Sequence, residues 1–342
     1  MTDSREPLRV GVVLQDGYAP GEIGALAAEI EELGYTHLWL TDSSLHTHDV
    51  FSSLTIAALR TKRLILGSAV TNPLTRHPAI TANAIATVAG LAPGRVIYGL
   101  GAGDRPLAAL ALQPAKLTAV RETITVSREL LAGQRITGAI GDAQLIDAYL
   151  HHPANPPPPI WLAASGPKTL ELAGAEADGA IVLAGLFPAG IDFALGCISR
   201  GLRDAPLARR EAFDPCVFMY GSIDDDVSRA IDAARPIAAW FPQTAPQYCE
   251  LAGMDAELVE TIRARYGGGE FQEAGDAAAL ISDELVQTLA LAGDHRAATA
   301  KVEMLIAQGV RNVAIFPLGN RRMETVRTFA RDVLPAFSSE TN

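Results

Sequence analysis

LGAGDRPL, residues 100 to 107, sets Asp104 directly behind a Gly101-x-Gly103 turn at the end of an apolar run. Such an aspartate either closes an Asx turn or caps a helix, or it faces a bound molecule and orients it or gives it a proton. WLAASGPKTLELAG, residues 161 to 174, raises the same choice for an anion. Its apolar run ends at Ser165, Gly166 turns the chain, and Pro167 takes a first helical position, where a missing N–H costs nothing. The amides that follow, near Lys168 and Thr169, stand at the positive end of a helix dipole and can hold a phosphate, although an ordinary strand-to-helix turn has this pattern too. A third stretch, HLWLTDSSLHTHDVF, carries Asp42 and Ser43 at a strand end and His46 and His48 just beyond. The His-x-His pair lacks a convergent third ligand, so no metal is expected.

Other features carry less chemistry. Gly101-x-Gly103 is not a dinucleotide fingerprint, because Pro106 or Leu107 stands where the third glycine is required. There is no Ser-His-Asp motif, Gly-x-Ser-x-Gly elbow or Walker sequence. Trp39 and Trp161 lie within strand candidates and read as core, His77 as a structural hydrogen-bonding residue at a helix start, and Asp224-Asp225-Asp226 as a capping run.

The candidate groups sit at strand ends, so the scaffold must bring strand ends together. Apolar runs at residues 8–15, 37–42, 64–70, 96–103, 159–165, 179–184, 215–223 and 310–319 suit parallel strands covered on both faces, with amphipathic stretches between them. In the first of those stretches Ile23, Leu26, Ala27, Ile30 and Leu33 share one helical face, and Gly34 ends it. The order predicts an α/β fold of the (β/α)8 TIM-barrel type, one domain over residues 1–342, with its site at the C-terminal strand ends. Gly67, Gly101, Gly103, Gly166, Gly185 and Gly319 recur at those ends and suggest close backbone approach by a flat or phosphorylated cofactor. Two stretches exceed a minimal barrel. Residues 133–158, in which Asn155 opens a run of four prolines that continues to Pro159, are expected to form an extended loop. Residues from about 236 to 292 read as a helical insertion after strand seven, whose Trp240, Phe241, Tyr248 and Tyr266 either line the substrate side or pack between subunits.

Composition narrows the class. With 49% apolar and 20% charged residues, the 342-residue chain can bury a large core. Its net charge of −11 and the absence of any long basic run exclude nucleic acid as a partner. The N-terminal MTDSREPLRV has the pattern of neither a signal peptide nor a membrane span. Cys197, Cys216 and Cys249 are odd in number and lack C-x-x-C spacing, which argues against a disulfide framework or zinc site and points to a reducing cytoplasm.

VTNPLTRHPAITANAIATVAGLAPGRVIYGLGAGD, residues 70–104, resembles the bacterial-luciferase-like superfamily, and within it the coenzyme F420-dependent branch that includes methylenetetrahydromethanopterin reductase. Thr71-Asn72-Pro73, Arg76-His77-Pro78, Gly94-Arg95, Gly101 to Asp104, Gly166-Pro167-Lys168 and the later ELAGAEADGAIV carry the resemblance across nearly the whole barrel. It implies a luciferase-like TIM barrel with a bulge at Gly67-Ser68-Ala69-Val70 and a cis peptide at Ala69–Val70 behind the deazaflavin ring. It also implies that Asn72 reaches the ring's polar edge, that Asp42, Gly101, Gly103 and Ala184 lie on the cofactor side, and that Ser165, Gly166, Pro167 and Lys168 surround the phosphate. Asp104 then falls near the hydride-accepting carbon. Where F420-dependent sugar-phosphate dehydrogenases and the methanogen reductase commonly have histidine after this aspartate, the chain has Ser43. That departure removes the usual base for alcohol oxidation and counts against glucose-6-phosphate dehydrogenase activity, with His46 and His48 as partial replacements if their loop folds inward. The implied function is an F420-dependent oxidoreductase that transfers a hydride between the deazaflavin C5 and a C=N or C=C of a small organic substrate, with no metal required. The alternative is an FMN-dependent luciferase-like monooxygenase, since FMN shares the phosphate-bearing arm. A homodimer is also implied.

Overall fold

Among the described residues, eleven strands form, in chain order β1 Arg9–Leu14, β2 His37–Leu40, β3 Ile65–Ser68, β4 Val96–Leu100, β5 Ile136–Ile140, β6 Ala143–Ala148, β7 Ile160–Ala164, β8 Gly179–Val182, β9 Asp214–Ile223, β10 Leu291–Gly293 and β11 Asn312–Pro317. The computed structural model describes residues 7–15, 18–43, 45–103, 107, 109–141, 143–267 and 271–337. The ring β1-β2-β3-β4-β7-β8-β9-β11 closes through parallel pairing of β11 with β1, giving the eight-stranded TIM barrel that the apolar runs predict. Seven of those eight strands lie within one of the eight runs, and β9 starts one residue before its run. All-parallel pairing follows from burial on both faces, by helices outside and by packed side chains within.

Register sets the interior. Trp39 of β2 lies opposite Gly67 of β3, and Trp161 of β7 opposite Gly179 of β8. A Cβ at Gly67 would lie 2.4 Å from the Trp39 ring, and one at Gly179 would lie 2.6 Å from the Trp161 indole. Gly67 therefore makes room for an indole inside the barrel, not for a ligand at the mouth. Trp39 meets Trp161 at 5.6 Å and Phe218 at 5.7 Å between ring centroids, so three inward rings fill the barrel.

The helices follow local rules. Pro20–Glu32 buries Ile23, Ala27 and Ile30 and ends before Gly34, whose φ of +90° suits glycine. Pro78–Leu91, Pro167–Glu176 and Pro188–Gly201 likewise open on proline. His77 caps its helix by accepting from the Ala79 N–H at 3.2 Å, and Asp226 caps Val227–Thr244 by accepting from Arg229 N–H at 3.4 Å, so both take the structural roles expected of them.

Both additions differ in detail from their expected form. Within residues 133–158 the chain makes an antiparallel hairpin, β5 with β6, in place of an extended loop. Gly141, at φ +54°, begins its turn, and Gly-Asp between short strands is a hairpin signal that the proline run obscured. After β9, the helix Val227–Thr244 runs through position 236 with Pro236 and Pro242 inside it. Helices Pro246–Leu251, Ala256–Arg265, Gly275–Ala278 and Asp283–Leu289 follow before β10 pairs with the end of β9. None of the described helices is long and apolar enough to cross a membrane.

The N-terminal face is held by charge and burial. Arg9 donates to both oxygens of Asp214, at 2.5 and 3.0 Å, and the Asn312 amide adds a 2.9 Å bond. Beside this cluster His37, 1% exposed, stacks on Trp39. Burial, with the Arg9 charge, pushes the His37 pKa down to about 3 from its ordinary 6.5. The unfolded chain then binds the extra proton between those values, so stability contributed by neutral His37 is complete above about pH 6.5 and declines as pH falls towards 3. Chemical denaturation of wild type against His37→Gln should show their stability difference shrinking by about 1.4 kcal/mol per pH unit between about pH 6 and 4. A difference that stays flat with pH would show that His37 is protonated in the folded protein.

Candidate active site

The three inward rings make a floor, and above it the C-terminal strand ends enclose a cavity of about 280 Å³. Gln15 follows β1, Thr41 to Ser43 follow β2, Ala69, Val70 and Asn72 follow β3, and Gly101 to Gly103 follow β4. Ala163 to Ser165 close the arc at β7, with Thr169 from the next helix. Ile181, Leu183, Phe218, Tyr220 and Phe316 from the last three barrel strands, with Trp240 and Thr244 from the insertion, form the other side.

The backbone after β3 explains the small residues on the first side. Ser68 is wholly buried: its hydroxyl donates to the Gly99 carbonyl at 2.8 Å and accepts from the Gly99 N–H at 3.1 Å. A Cβ at Gly99 would lie 1.9 Å from the Ser68 carbonyl oxygen. The Ala69–Val70 peptide is cis, at the bond that the resemblance implies, and strand pairing resumes between Thr71 and Leu100. Gly101 accommodates Val70, whose Cγ2 would lie 2.6 Å from an added Cβ. Asn72 uses its side-chain oxygen to accept from the Leu74 and Thr75 N–H groups, both at 3.0 Å. Its amide NH2 is thereby left as the end that can address a ligand.

Asp42 is held by a second network. Its side chain is 2% exposed and lies 2.5 Å from Arg76 Nη1, while Arg76 Nη2 reaches Asp49 at 3.0 Å. The Arg76 guanidinium also sits 5.1 Å from the Phe51 ring centroid. Burial works against the Arg76 charge, yet the hydrogen bond and charge of Asp42, with Asp49, keep its pKa above the ordinary value. Asp49, which also caps the helix Val50–Arg60 through the Ser52 N–H, is held low by those Ser52 bonds and by Arg76, against the opposing effect of burial. Arg76 thus joins the end of β2, the following loop and the start of the next helix.

Ser165 receives two bonds from the insertion: Gln247 Nε2 donates to its carbonyl at 2.8 Å and the Tyr248 hydroxyl at 3.1 Å. The following helix, Pro167–Glu176, has Gly166 at its N-cap and no side chain capping it. Its first-turn amides remain available beside Thr169, the geometry that anions use.

The structure brings Asp42, Ser43, Ala69, Val70, Asn72, Gly101, Gly103 and Ser165 to one cavity. It does not bring the others to its lining. Ser68 turns into the barrel wall, for the hydrogen-bonding reason above. Ala184 is buried away from the mouth, because Ile181 and Leu183 share the inner side of this run and alternation sends Val182 and Ala184 to the other. Gly166 and Pro167 form the helix start behind the lining, and Lys168 lines an outer cleft with Arg121 and Arg203. His46 and His48 line an adjoining recess with Tyr18, which shares Gln15 and Thr41 with the mouth. Among the described residues no group of His, Cys, Asp or Glu has metal-binding geometry. Asp104 lies outside the described residues.

Thr41 also lines the cavity and was missed by sequence reasoning; its hydroxyl is buried without a partner among the described residues. Phe218 with Tyr220, and Ile181 with Leu183, were also missed, although their i, i+2 spacing in apolar runs is a legible sign of a shared face. Of the insertion aromatics, Trp240 lines the cavity, whereas Phe241, Tyr248 and Tyr266 are buried in the core.

A closed parallel barrel with its cavity at the C-terminal strand ends belongs to the TIM-barrel class. The profile of the family described as luciferase-like monooxygenase matches residues 7–312, and the chain belongs to that family. It is 30% identical to 5,10-methylenetetrahydromethanopterin reductase of Methanopyrus kandleri over 96% of this chain and 98% of the relative. It is 31% identical to F420-dependent glucose-6-phosphate dehydrogenase of Nakamurella multipartita over 68% of this chain and 73% of the relative. The solved coenzyme F420-dependent tetrahydromethanopterin reductase from Methanopyrus kandleri superposes with a TM-score of 0.83 at 27% identity, covering 97% of this chain and all 100% of that one.

Removing the cation from the Asp42 pair strands a buried carboxylate. Arg76→Ala is expected to lower unfolding free energy by roughly 3 kcal/mol, with part of the loss restored by adding Asp42→Asn. Urea denaturation of the two variants checks this, and a loss below about 1 kcal/mol would mark the pair as no stronger than a surface ion pair.

Proposed function

We propose that the mouth binds coenzyme F420 and that the chain is an F420-dependent oxidoreductase acting on a C=N or C=C of a small organic substrate. The observation that carries this reading is the run of small residues from Ala69 through Gly103 to Ala164, which continues into the uncapped helix start after Gly166. A flat ring fits against side chains of this size, and a phosphate fits the free amides. The Asn72 amide offers the ring's polar edge a hydrogen bond. The relatives that carry F420 in their names support the cofactor over FMN.

When bound in its reduced form, F420 supplies a hydride from C5. The chain's residues do the rest. Val70 and the neighbouring backbone fix the ring's position, the Arg76-bound Asp42 keeps an oriented acceptor at the mouth, and Trp240 with the facing apolar side chains limits water. Asp104 follows the mouth residue Gly103 in sequence and is proposed as proton donor or as the anchor of a donating water. Ser43, at the mouth, offers a hydroxyl for substrate orientation; His46, in the adjoining recess, would need a change in its loop to take part. Three buried, unpaired cysteines support a reducing compartment such as the cytoplasm.

A homodimer completes the proposal. Helix Pro78–Leu91 contains no charged residue and exposes Ile80 (62%) and Leu91 (44%), and the helix Val50–Arg60 packed against it exposes Leu59 (67%). Such a surface favours burial against a second copy. Light scattering should give twice the 36.1 kDa chain mass, and a single chain mass would remove the dimer. For the cofactor, purified apo-protein is titrated with F420 and with FMN, following fluorescence quenching. F420 should bind at least about tenfold more tightly, a gap of about 1.4 kcal/mol. The reverse order would favour the monooxygenase, and binding of neither would remove both enzymatic readings.

A further inference from the structure

The two sides of the mouth differ in kind. From β3 to β7 the lining is Ala69, Val70, Gly101 to Gly103, Ala163 and Ala164, apart from Asn72 and Ser165. Across from it stand Ile181, Leu183, Phe218, Tyr220, Phe316 and Trp240. Tyr220 and Phe316 are stacked, 4.3 Å between centroids and 15° between planes, and Phe271 meets Tyr220 edge-on at 6.5 Å. This second wall is mainly apolar and aromatic, and its rings brace one another. Among the described lining residues the one formal charge is the Asp42 carboxylate.

We infer that the aromatic wall receives the substrate, and that the substrate is an uncharged, planar, conjugated molecule with an activated C=C or C=N, not a phosphorylated sugar. The inference rests on F420 occupying the small-residue side. A ring held there would stand across the cavity from Tyr220, Phe316 and Trp240, and aromatic contacts in the space between would select a flat conjugated group. A phosphate would lose hydration against this wall without gaining a cation, since no Lys or Arg is among its described lining residues. In the reaction, a hydride with its electron pair adds to one atom of the double bond and a proton from water to the other, while reduced F420 becomes oxidised.

The test uses protein loaded with oxidised F420 and measures binding by calorimetry, with benzylideneacetone as the conjugated probe and glucose 6-phosphate as the charged one. Benzylideneacetone should bind and glucose 6-phosphate should not. Tyr220→Leu and Trp240→Ala should each weaken benzylideneacetone by about tenfold while F420 affinity, read separately by fluorescence, stays within about twofold. Retained F420 binding also shows that each variant is folded. Binding of glucose 6-phosphate as tight as that of benzylideneacetone, no binding of benzylideneacetone, unchanged probe affinity in both variants, or a parallel loss of F420 affinity overturns the inference and leaves the F420 reading standing. Failure of the wild type to take up F420 overturns that reading and this inference with it.

Discussion

Two indoles inside a barrel of eight strands constrain everything above them. Trp39 and Trp161 are far larger than the aliphatic side chains that usually layer a barrel interior, and each faces a glycine on the next strand. With Phe218 they fill the space beneath the strand ends, and Phe218 belongs to both the plug and the mouth. A close-packed interior resists small changes of volume, so the floor on which a ligand rests is fixed by packing before any ligand arrives. The site inherits its depth from the core.

Upon that floor the polar groups are placed by bonds already spent elsewhere. Asn72 gives its oxygen to its own turn, the Ser165 carbonyl is occupied by Gln247 and Tyr248, and Asp42 is engaged by Arg76. Among the groups left for a ligand are the Asn72 amide, the Ser43 hydroxyl and the amides of a helix start. These are mostly donors. A cavity edged by donors suits a cofactor whose polar edge and phosphate are acceptors, and the one buried carboxylate is kept from being a free charge by its guanidinium.

The barrel was legible because its signals are long and redundant: eight apolar runs, helices opening on proline, and glycine at a helix end all agree. The hairpin at β5 and β6 was not, since its short strands are mostly exposed and carry little hydrophobic pattern, and a proline run followed them. Among site residues, those read from motifs at strand ends were brought together when the motif sat on the inner side of its strand. Ala184 and Ser68 show the limit, because a shift of one residue along a strand moves a side chain to the other face and no motif records that phase. Gly67 shows another: a glycine at a strand end can serve a ligand or an indole, and only the partner strand's register tells which. Arg76 bridging Asp42 and Asp49 joins residues 34 and 27 positions apart, a pairing that no local spacing announces.

The insertion after β9 acts on both sides of the mouth at once. Its first helix sends Trp240 and Thr244 into the lining, while Gln247 and Tyr248, just beyond that helix, hold the carbonyl from which the helix Pro167–Glu176 departs. Tyr248 is fixed in turn by edge-on contacts with Phe193 and Phe241. A change in how this segment packs would therefore alter the substrate-facing wall and the phosphate-facing turn together. Such coupling lets barrel strands stay constant while a single insertion sets both what the mouth admits and how firmly the far end of a cofactor is held, which is where divergence of substrate should concentrate in a fold whose interior has no freedom to move.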